Sequence, residues 1–169
     1  DETMDVASRR STDTLRKKIG VNGVTVLGVL GEAMRLTDRE RQIGVSEGVD
    51  AAGNLPVFVG TSAAGTQAVI DHNEIAGKNN ASAVMITPHA EPTPSDERIV
   101  QHFKMIKNES ALPIILQDHP ASTGVHMSSE LISRVIDEID GFAGIKMESV
   151  PTARLPRFTT ENAPVPSCV

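Results

Sequence analysis

Five short apolar runs, rich in β-branched residues, recur along the chain at intervals of roughly 30 residues. The segments between them show the periodicity of amphipathic helices. Strand–helix units of this length are typical of βαβ structure and predict a parallel sheet. Runs without polar alternation predict strands buried on both faces. The predicted strands are residues 23–28, 56–62, 81–88, 112–118 and 141–147.

Polar residues at the starts of the helical segments predict where those helices begin. Thr37, followed three residues later by Glu40, has the pattern of a capping box. A further helix is predicted over 11–19, ahead of the first strand. The predicted caps of the three later helices are Thr66, Ser95, and either Ser128 or Ser129.

Two architectures accommodate this alternation, a doubly wound open sheet and a (β/α)8 barrel. A full barrel typically takes about 250 residues, and the chain has 169. Length alone therefore favours a flavodoxin-like open sheet. The pattern changes after Val150, which predicts a folded domain over 1–152 and an irregular, proline-rich tail over 153–169.

Composition restricts the classes of partner and the compartment. The formal net charge is −6 and no basic stripe occurs, which argues against nucleic acid or an anionic membrane as a partner. No apolar run approaches the roughly 20 residues of a membrane span, and the charged start lacks the apolar centre of a signal peptide. Cys168 is the single cysteine, so no internal disulfide is possible, and a cytoplasmic location is expected.

Candidate functional residues stand at the carboxyl ends of the predicted strands, where ligands gather in parallel α/β proteins. The turn 28–32 exposes backbone N–H groups suited to a carboxylate or phosphate, although it matches neither GxGxxG nor a P-loop. His72, His102 and His126 are predicted to be solvated. The candidates are Gly28, Val29, Leu30, Gly31, Glu32 and His89 for binding, and Gln117, Asp118, His119 and Lys146 for catalysis.

Lys146 ends the last apolar run and is either a solvated terminus or an amine placed for chemistry. A desolvated lysine can lose its proton and attack a carbonyl group to form a Schiff base. That chemistry also needs an anion cradle, for which the turn 28–32 is the candidate. It needs a proton shuttle, for which the candidates are His89, His119 and Asp118. Metal-binding spacings such as HxH or HExxH are absent from the sequence, so neither a metal nor another cofactor is expected.

Taken in order, these segments resemble the dihydrodipicolinate synthase / N-acetylneuraminate lyase family of class I aldolase-type enzymes. The resemblance extends over about residues 12–152 and implies a (β/α)8 barrel, here a partial barrel of about five parallel strands. It implies a homo-oligomer that acts on pyruvate or another 2-keto acid, with a Schiff base on Lys146 and the substrate carboxylate held by Val29 and Leu30. The segments that carry it are 20–41, 56–63, 85–88, 112–124 and 144–146.

The chain departs from this family at several site positions. Val29 and Leu30 replace the two threonines of the family's glycine turn, and Gln117 replaces the tyrosine that relays protons. A second family tyrosine falls near His89, and Ser122 stands where the synthases have an arginine. A chain without tyrosine cannot run the usual relay. These departures argue against dihydrodipicolinate synthesis itself and favour an aldolase or dehydratase that uses Asp118 or His119.

Three functional hypotheses remain open from the sequence. The first is a Schiff-base lyase with Lys146 as nucleophile. The second is an inactive, truncated family member or keto-acid-binding module, since strands before the first and after the fifth run would be missing from a barrel. The third is a flavodoxin-like binding domain. An open parallel sheet would leave two unpaired edges, which we expect another chain to cover.

Overall fold

A single five-stranded parallel sheet organises the computed structural model, which describes residues 20–90 and 95–149. The predicted helix over 11–19 and the predicted tail over 153–169 lie outside these residues. The strands are β1 (Val24–Val26), β2 (Val57–Gly60), β3 (Ala83–Ile86), β4 (Ile114–Asp118) and β5 (Phe142–Met147). The helices are α1 (Asp38–Ala52), α2 (Thr66–Lys78), α3 (Asp96–Glu109), the single turn α4 (Pro120–Thr123) and α5 (Ser129–Glu138).

The strands lie in the sheet in the order β1-β2-β3-β4-β5, and every pairing is parallel. Successive strands therefore progress in one direction, as they do around a (β/α)8 barrel. A flavodoxin-like sheet reverses its strand order at a switch point, and the described strands have no such reversal. The partial-barrel prediction is confirmed, and the flavodoxin-like alternative is wrong.

The main core lies between the sheet and its helices. Aligned residues of four adjacent strands face the helices and are almost completely buried: Val26, Val59, Val84 and Ile114. Gly48 of α1 packs so closely on Val26 that an added Cβ would lie 2.6 Å from the valine Cγ1. The largest fully buried side chain, Phe103 of α3, belongs to this layer.

The opposite face of the sheet is less covered than the sequence predicted. Every residue of β3 is buried, but Thr25 of β1 and Lys146 of β5 are exposed, and Phe58 is only half-buried. The prediction of burial on both faces is therefore wrong for the outer strands. The reason is geometric: β3 lies at the centre of the sheet, whereas β1 and β5 each have one strand neighbour within the described residues.

Helix starts follow the capping predictions in part. The box at α1 is confirmed, with Thr37 N donating to Glu40 Oε2 at 2.9 Å and Glu40 N donating to Thr37 Oγ1 at 3.3 Å. Ser128 caps α5 by accepting a bond from Leu131 N. The Thr66 prediction is wrong, because Gly65 occupies the N-cap of α2. Ser95 precedes α3 but makes no side-chain capping bond.

No helix in the described part of the chain is both long and apolar enough to cross a membrane.

Candidate active site

A cavity of about 640 Å³ opens at the carboxyl ends of the strands. Parallel strands bring their carboxyl ends to one edge of the sheet, so residues far apart in sequence meet there. The turns after β1, β2 and β3 contribute to its wall, and β4 contributes Gln117. The polar and turn residues that line it include Gly28, Val29, Glu32, Ser62, Thr87, His89, Gln117, Ser122 and Thr123.

The wall after β1 consists of two consecutive 3₁₀ turns, Val29–Gly31 and Ala33–Arg35. Gly31 N and Glu32 N donate to the carbonyl groups of Gly28 and Val29. The first N–H groups of such a turn have no acceptor within it. The amides of Val29 and Leu30 are thus the members of the predicted binding turn suited to an external acceptor.

The residues on either side of the first 3₁₀ turn have a strained backbone conformation. Leu27 and Glu32 have φ values of +55° and +50°, a left-handed conformation that non-glycine residues adopt uncommonly. Gly60 of β2 lies against the Leu27 carbonyl, where an added Cβ would be only 2.0 Å from the oxygen. Strained residues of this kind cluster at ligand-binding and catalytic sites. The strain identifies residues 27–32 as a candidate binding segment.

A buried arginine forms a hydrogen bond to the second 3₁₀ turn, Ala33–Arg35. Arg41 of α1 is 6% exposed, and its Nη2 donates to the carbonyl oxygen of Ala33. Burial lowers the pKa of Arg41, while the charge of Asp38 opposes that shift. The guanidinium remains charged at any physiological pH, so this bond anchors the turn to the helix.

Lys146 lies beside Gln117 in the sheet register. Because paired residues of adjacent strands point to the same face, both side chains project from the side of the sheet that faces away from the main core. Glu148 connects them. Its Oε1 lies 2.9 Å from Lys146 Nζ, and its Oε2 accepts a bond of 2.5 Å from Gln117 Nε2.

The backbone fixes the position of Glu148 just beyond β5. Glu148 N donates to the Asp118 carbonyl at 2.8 Å, which continues the strand pairing by one residue. Burial favours the neutral acid, but hydrogen bonds from Gln117 and Lys146, with the nearby charges of Lys146 and His119, hold the pKa of Glu148 below its ordinary value. Glu148 is therefore ionised near neutral pH, opposite the ammonium group of Lys146.

The amine of Lys146 adjoins the cavity wall without forming part of it. Its side chain is 44% exposed, and the residues that line the cavity do not include it. Gln117 does line the cavity and bonds to Glu148, which bonds in turn to Lys146. A chain of contacts from the wall through Gln117 and Glu148 thus reaches the amine.

The remaining candidates occupy different positions around the cavity. His89 lines it, and its ring meets that of His102 edge to face at a centroid distance of 4.3 Å. His119 lies outside the lining, with Nδ1 2.6 Å from Ser122 Oγ. Asp118 is 2% exposed and also lies outside the lining, because alternation along β4 directs it away from the face that carries Gln117.

Two of the histidines predicted to be solvated are not. His102 is 4% exposed, and its Nδ1 lies 2.9 Å from the hydroxyl of Thr66, because this face of α3 packs towards α2. His72 is partly buried, with Nδ1 3.3 Å from the Thr61 carbonyl oxygen. His126 is exposed, as predicted. No group of three or more potential metal-ligating side chains occurs in the described ranges 20–90 and 95–149.

Glu148 is the residue of this arrangement that the sequence did not single out. An acidic residue two positions after a lysine at a strand end is a common surface pattern. The available signal was alternation, since residues two apart in an extended chain point to the same side. That signal places Glu148 near Lys146 but does not bring Gln117 to the same carboxylate.

Known proteins are similar in sequence to this chain over most of its length. A model of the dihydrodipicolinate synthetase family matches residues 2–161. The 4-hydroxy-tetrahydrodipicolinate synthase of Persephonella marina is 31% identical over 157 residues, which are 92% of this chain and 53% of that relative. The synthase of Oleidesulfovibrio alaskensis is 33% identical over 132 residues, 77% of this chain and 45% of the relative. The chain thus spans about half the length of the curated relatives it matches.

Solved structures are also similar to this chain over about half of their own length. The dihydrodipicolinate synthase of Acinetobacter baumannii, solved with pyruvate, superimposes with a TM-score of 0.83 at 29% identity, covering 89% of this chain and 52% of that one. YagE, a prophage protein from E. coli K12 also solved with pyruvate, has a TM-score of 0.85 at 23% identity, covering 90% and 51%. At that lower identity the likeness concerns the fold alone.

Proposed function

The chain belongs to the dihydrodipicolinate synthetase family, and we propose on that basis that it is a Schiff-base lyase. Its substrate is pyruvate or another 2-keto acid, and Lys146 is the nucleophile. The observation that carries the proposal is the contact chain from the cavity wall through Gln117 and Glu148 to Nζ of Lys146. The A. baumannii relative binds pyruvate, which supports a keto acid as the substrate class.

The chemistry requires an amine nucleophile and a site for the substrate carboxylate. The amine of Lys146 forms a bond to the keto carbon, the keto oxygen leaves as water, and the resulting iminium withdraws electrons from the adjacent carbon. The amides of Val29 and Leu30, at the start of the 3₁₀ turn, bind the carboxylate. Because neither residue has a hydroxyl group, the carboxylate receives backbone donors only.

Residue types around the cavity favour aldol cleavage or dehydration over synthesis of dihydrodipicolinate. The chain contains no tyrosine, and the amide of Gln117 cannot exchange protons near neutral pH. Ser122 lines the cavity where the synthases have an arginine for the second substrate. The proposal assigns no proton transfer to Asp118, whose side chain is buried outside the cavity lining. His119 remains a candidate through its contact with Ser122.

Borohydride trapping tests the nucleophile directly. The protein is incubated with saturating pyruvate, reduced with borohydride, digested and examined by mass spectrometry. We expect the reduced pyruvyl adduct on the peptide that contains Lys146 and its loss in Lys146→Ala. Lys78→Ala, which removes an exposed lysine of α2, is the matched control and should retain the adduct. Absence of an adduct from the unsubstituted protein contradicts the proposal.

A second candidate function is binding of a keto acid without turnover. It is favoured by one observation, the exposed position of Lys146 outside the cavity lining. Turnover assays with a panel of 2-keto acids and aldol products separate the two candidates. Turnover that disappears in Lys146→Ala excludes the binding module, whereas binding with no turnover supports it.

The proposal also includes a homo-oligomer located in the cytoplasm. Within the described residues, β1 and β5 each pair with one strand only, and unpaired strand edges favour association with another chain. Sedimentation equilibrium tests this part, and a monomer at micromolar concentration contradicts it. Cell fractionation tests the location.

A further inference from the structure

We propose that Glu148 is the general acid–base of the Schiff-base cycle, carrying the proton between Lys146 and the oxygen that leaves the substrate. The inference rests on the proposed function, because it concerns a step of that reaction. Its basis is contact with the reacting atom itself: Glu148 Oε1 lies 2.9 Å from Nζ of Lys146. A general base must be within hydrogen-bond reach of the proton it removes, and Glu148 meets this condition.

One side-chain hydrogen bond, the ion pair and one backbone hydrogen bond restrain Glu148. Gln117 Nε2 donates to Oε2, so Oε1 is left to face the amine. The backbone N–H of Glu148 donates to the Asp118 carbonyl, which aligns residue 148 with the end of β4. A neutral amide at position 117 donates a hydrogen bond and does not compete for the proton. In this arrangement Gln117 acts as a positioning residue.

A single carboxylate, that of Glu148, takes up a proton and later returns it. Glu148 takes one proton from the ammonium group, and the nitrogen lone pair then forms a bond to the keto carbon of the substrate. The carbonyl π electrons move to the oxygen, which receives a second proton from the nitrogen through solvent. Glu148 returns its proton to this hydroxyl group, the carbon–oxygen bond breaks, and water leaves as the iminium forms. The carboxylate ends as it began.

A purely electrostatic role of Glu148 predicts a different rate of imine formation in Glu148→Gln. If Glu148 only pairs with the ammonium group and moves no proton, its removal leaves imine formation at least as fast as before. If Glu148 transfers the proton, its removal slows imine formation. The sign of the rate change in Glu148→Gln therefore separates the two roles.

The test is the rate of reductive trapping with pyruvate and cyanoborohydride at pH 7, followed by mass spectrometry of the Lys146 peptide. We expect Glu148→Gln to slow trapping about a hundredfold or more. Glu148→Asp, which keeps the charge on a shorter side chain, should have an intermediate rate. Glu130→Gln, an equivalent exchange at an exposed position of α5, should match the unsubstituted protein. Circular dichroism verifies that each variant is folded.

The possible failures are distinguishable. No adduct on the unsubstituted protein overturns the proposed function and this role with it. A normal adduct that forms at least as fast in Glu148→Gln overturns the role of Glu148 alone. If Glu148→Gln does not fold, Glu148→Asp decides the question: a slowed rate supports proton transfer, and a rate equal to or above that of the unsubstituted protein refutes it.

Discussion

Lys146 and Glu148 form an ion pair at the end of β5. The ammonium form of a lysine has no free electron pair with which to attack a carbonyl carbon. The contact with Glu148 provides an acceptor for the proton that must leave before attack begins. The 2.9 Å contact between Nζ and Oε1 permits this transfer.

The lowered pKa of Glu148 predicts an acid-dependent stability difference. A carboxyl group whose folded-state pKa lies below the ordinary value of 4.5 contributes stability above that pH. This contribution is lost as the pH falls through the folded-state pKa. We expect the free energy of unfolding of the unsubstituted protein to exceed that of Glu148→Gln most at pH 6, and the difference to shrink below pH 4.5. Urea unfolding from pH 3 to 7 measures it; a difference that grows in acid contradicts the prediction.

At the scale of elements, β2 and the segment after β1 approach each other more closely than a side chain allows. Gly60 ends β2 directly against the backbone of Leu27, which is itself left-handed. The contact involves backbone atoms, which cannot rotate away as a flexible side chain can. The conformation of the candidate carboxylate-binding turn therefore depends on a glycine in the neighbouring strand.

Gly60→Ala should distort this turn and destabilise the protein. The added Cβ would lie 2.0 Å from the Leu27 carbonyl oxygen, and overpacking of this kind typically costs about 1–3 kcal/mol. Urea unfolding measures the loss of stability, and calorimetric titration with pyruvate measures the expected weakening of binding. Gly77→Ala is the control, because a Cβ added at Gly77 of α2 would have its nearest neighbouring atom, in Leu112, at 4.0 Å. Equal behaviour of the two variants contradicts the argument.

At the scale of the whole molecule, one face of the sheet has the packed core and the other has the site. The helix-facing residues of β1 to β4 are almost completely buried, whereas the opposite face includes exposed Thr25, half-buried Phe58 and the Gln117–Lys146 pair. The stability of the described fold thus depends mainly on the helix layer. Exposed side chains of the other face, such as Thr25, contribute less to that stability.

Two substitutions in α3 test whether the stability of the fold depends on side chains buried in the helix layer. Phe103 is fully buried and lies 5.8 Å, centroid to centroid, from the ring of Phe142 on β5. Phe103→Ala should lower the free energy of unfolding by about 3–5 kcal/mol. Met105 lies two residues further along the same helix and is 54% exposed, so Met105→Ala should change it by less than about 0.5 kcal/mol. Urea unfolding compares them, and similar losses in both would contradict a core confined to that layer.

Strand and helix positions were largely predictable because they depend on local periodicity. All five strands lie within the predicted runs, although β1 is shorter, since Leu27 and Gly28 already belong to the turn. Thr37 was predictable as a cap because a capping box is a four-residue pattern. Thr66 was not, because its hydroxyl group meets His102 of another helix, which no local pattern reveals.

Local sequence patterns account for the alternation of strands and helices and for the grouping of polar residues at the strand ends, since hydrophobic period and turn chemistry act over a few residues. Three features arise only when the whole chain folds: the sequential strand order, the register that sets Lys146 beside Gln117, and the contacts of both residues with Glu148. Register depends on packing between segments about 30 residues apart, where a shift of one residue would turn each side chain to the opposite face.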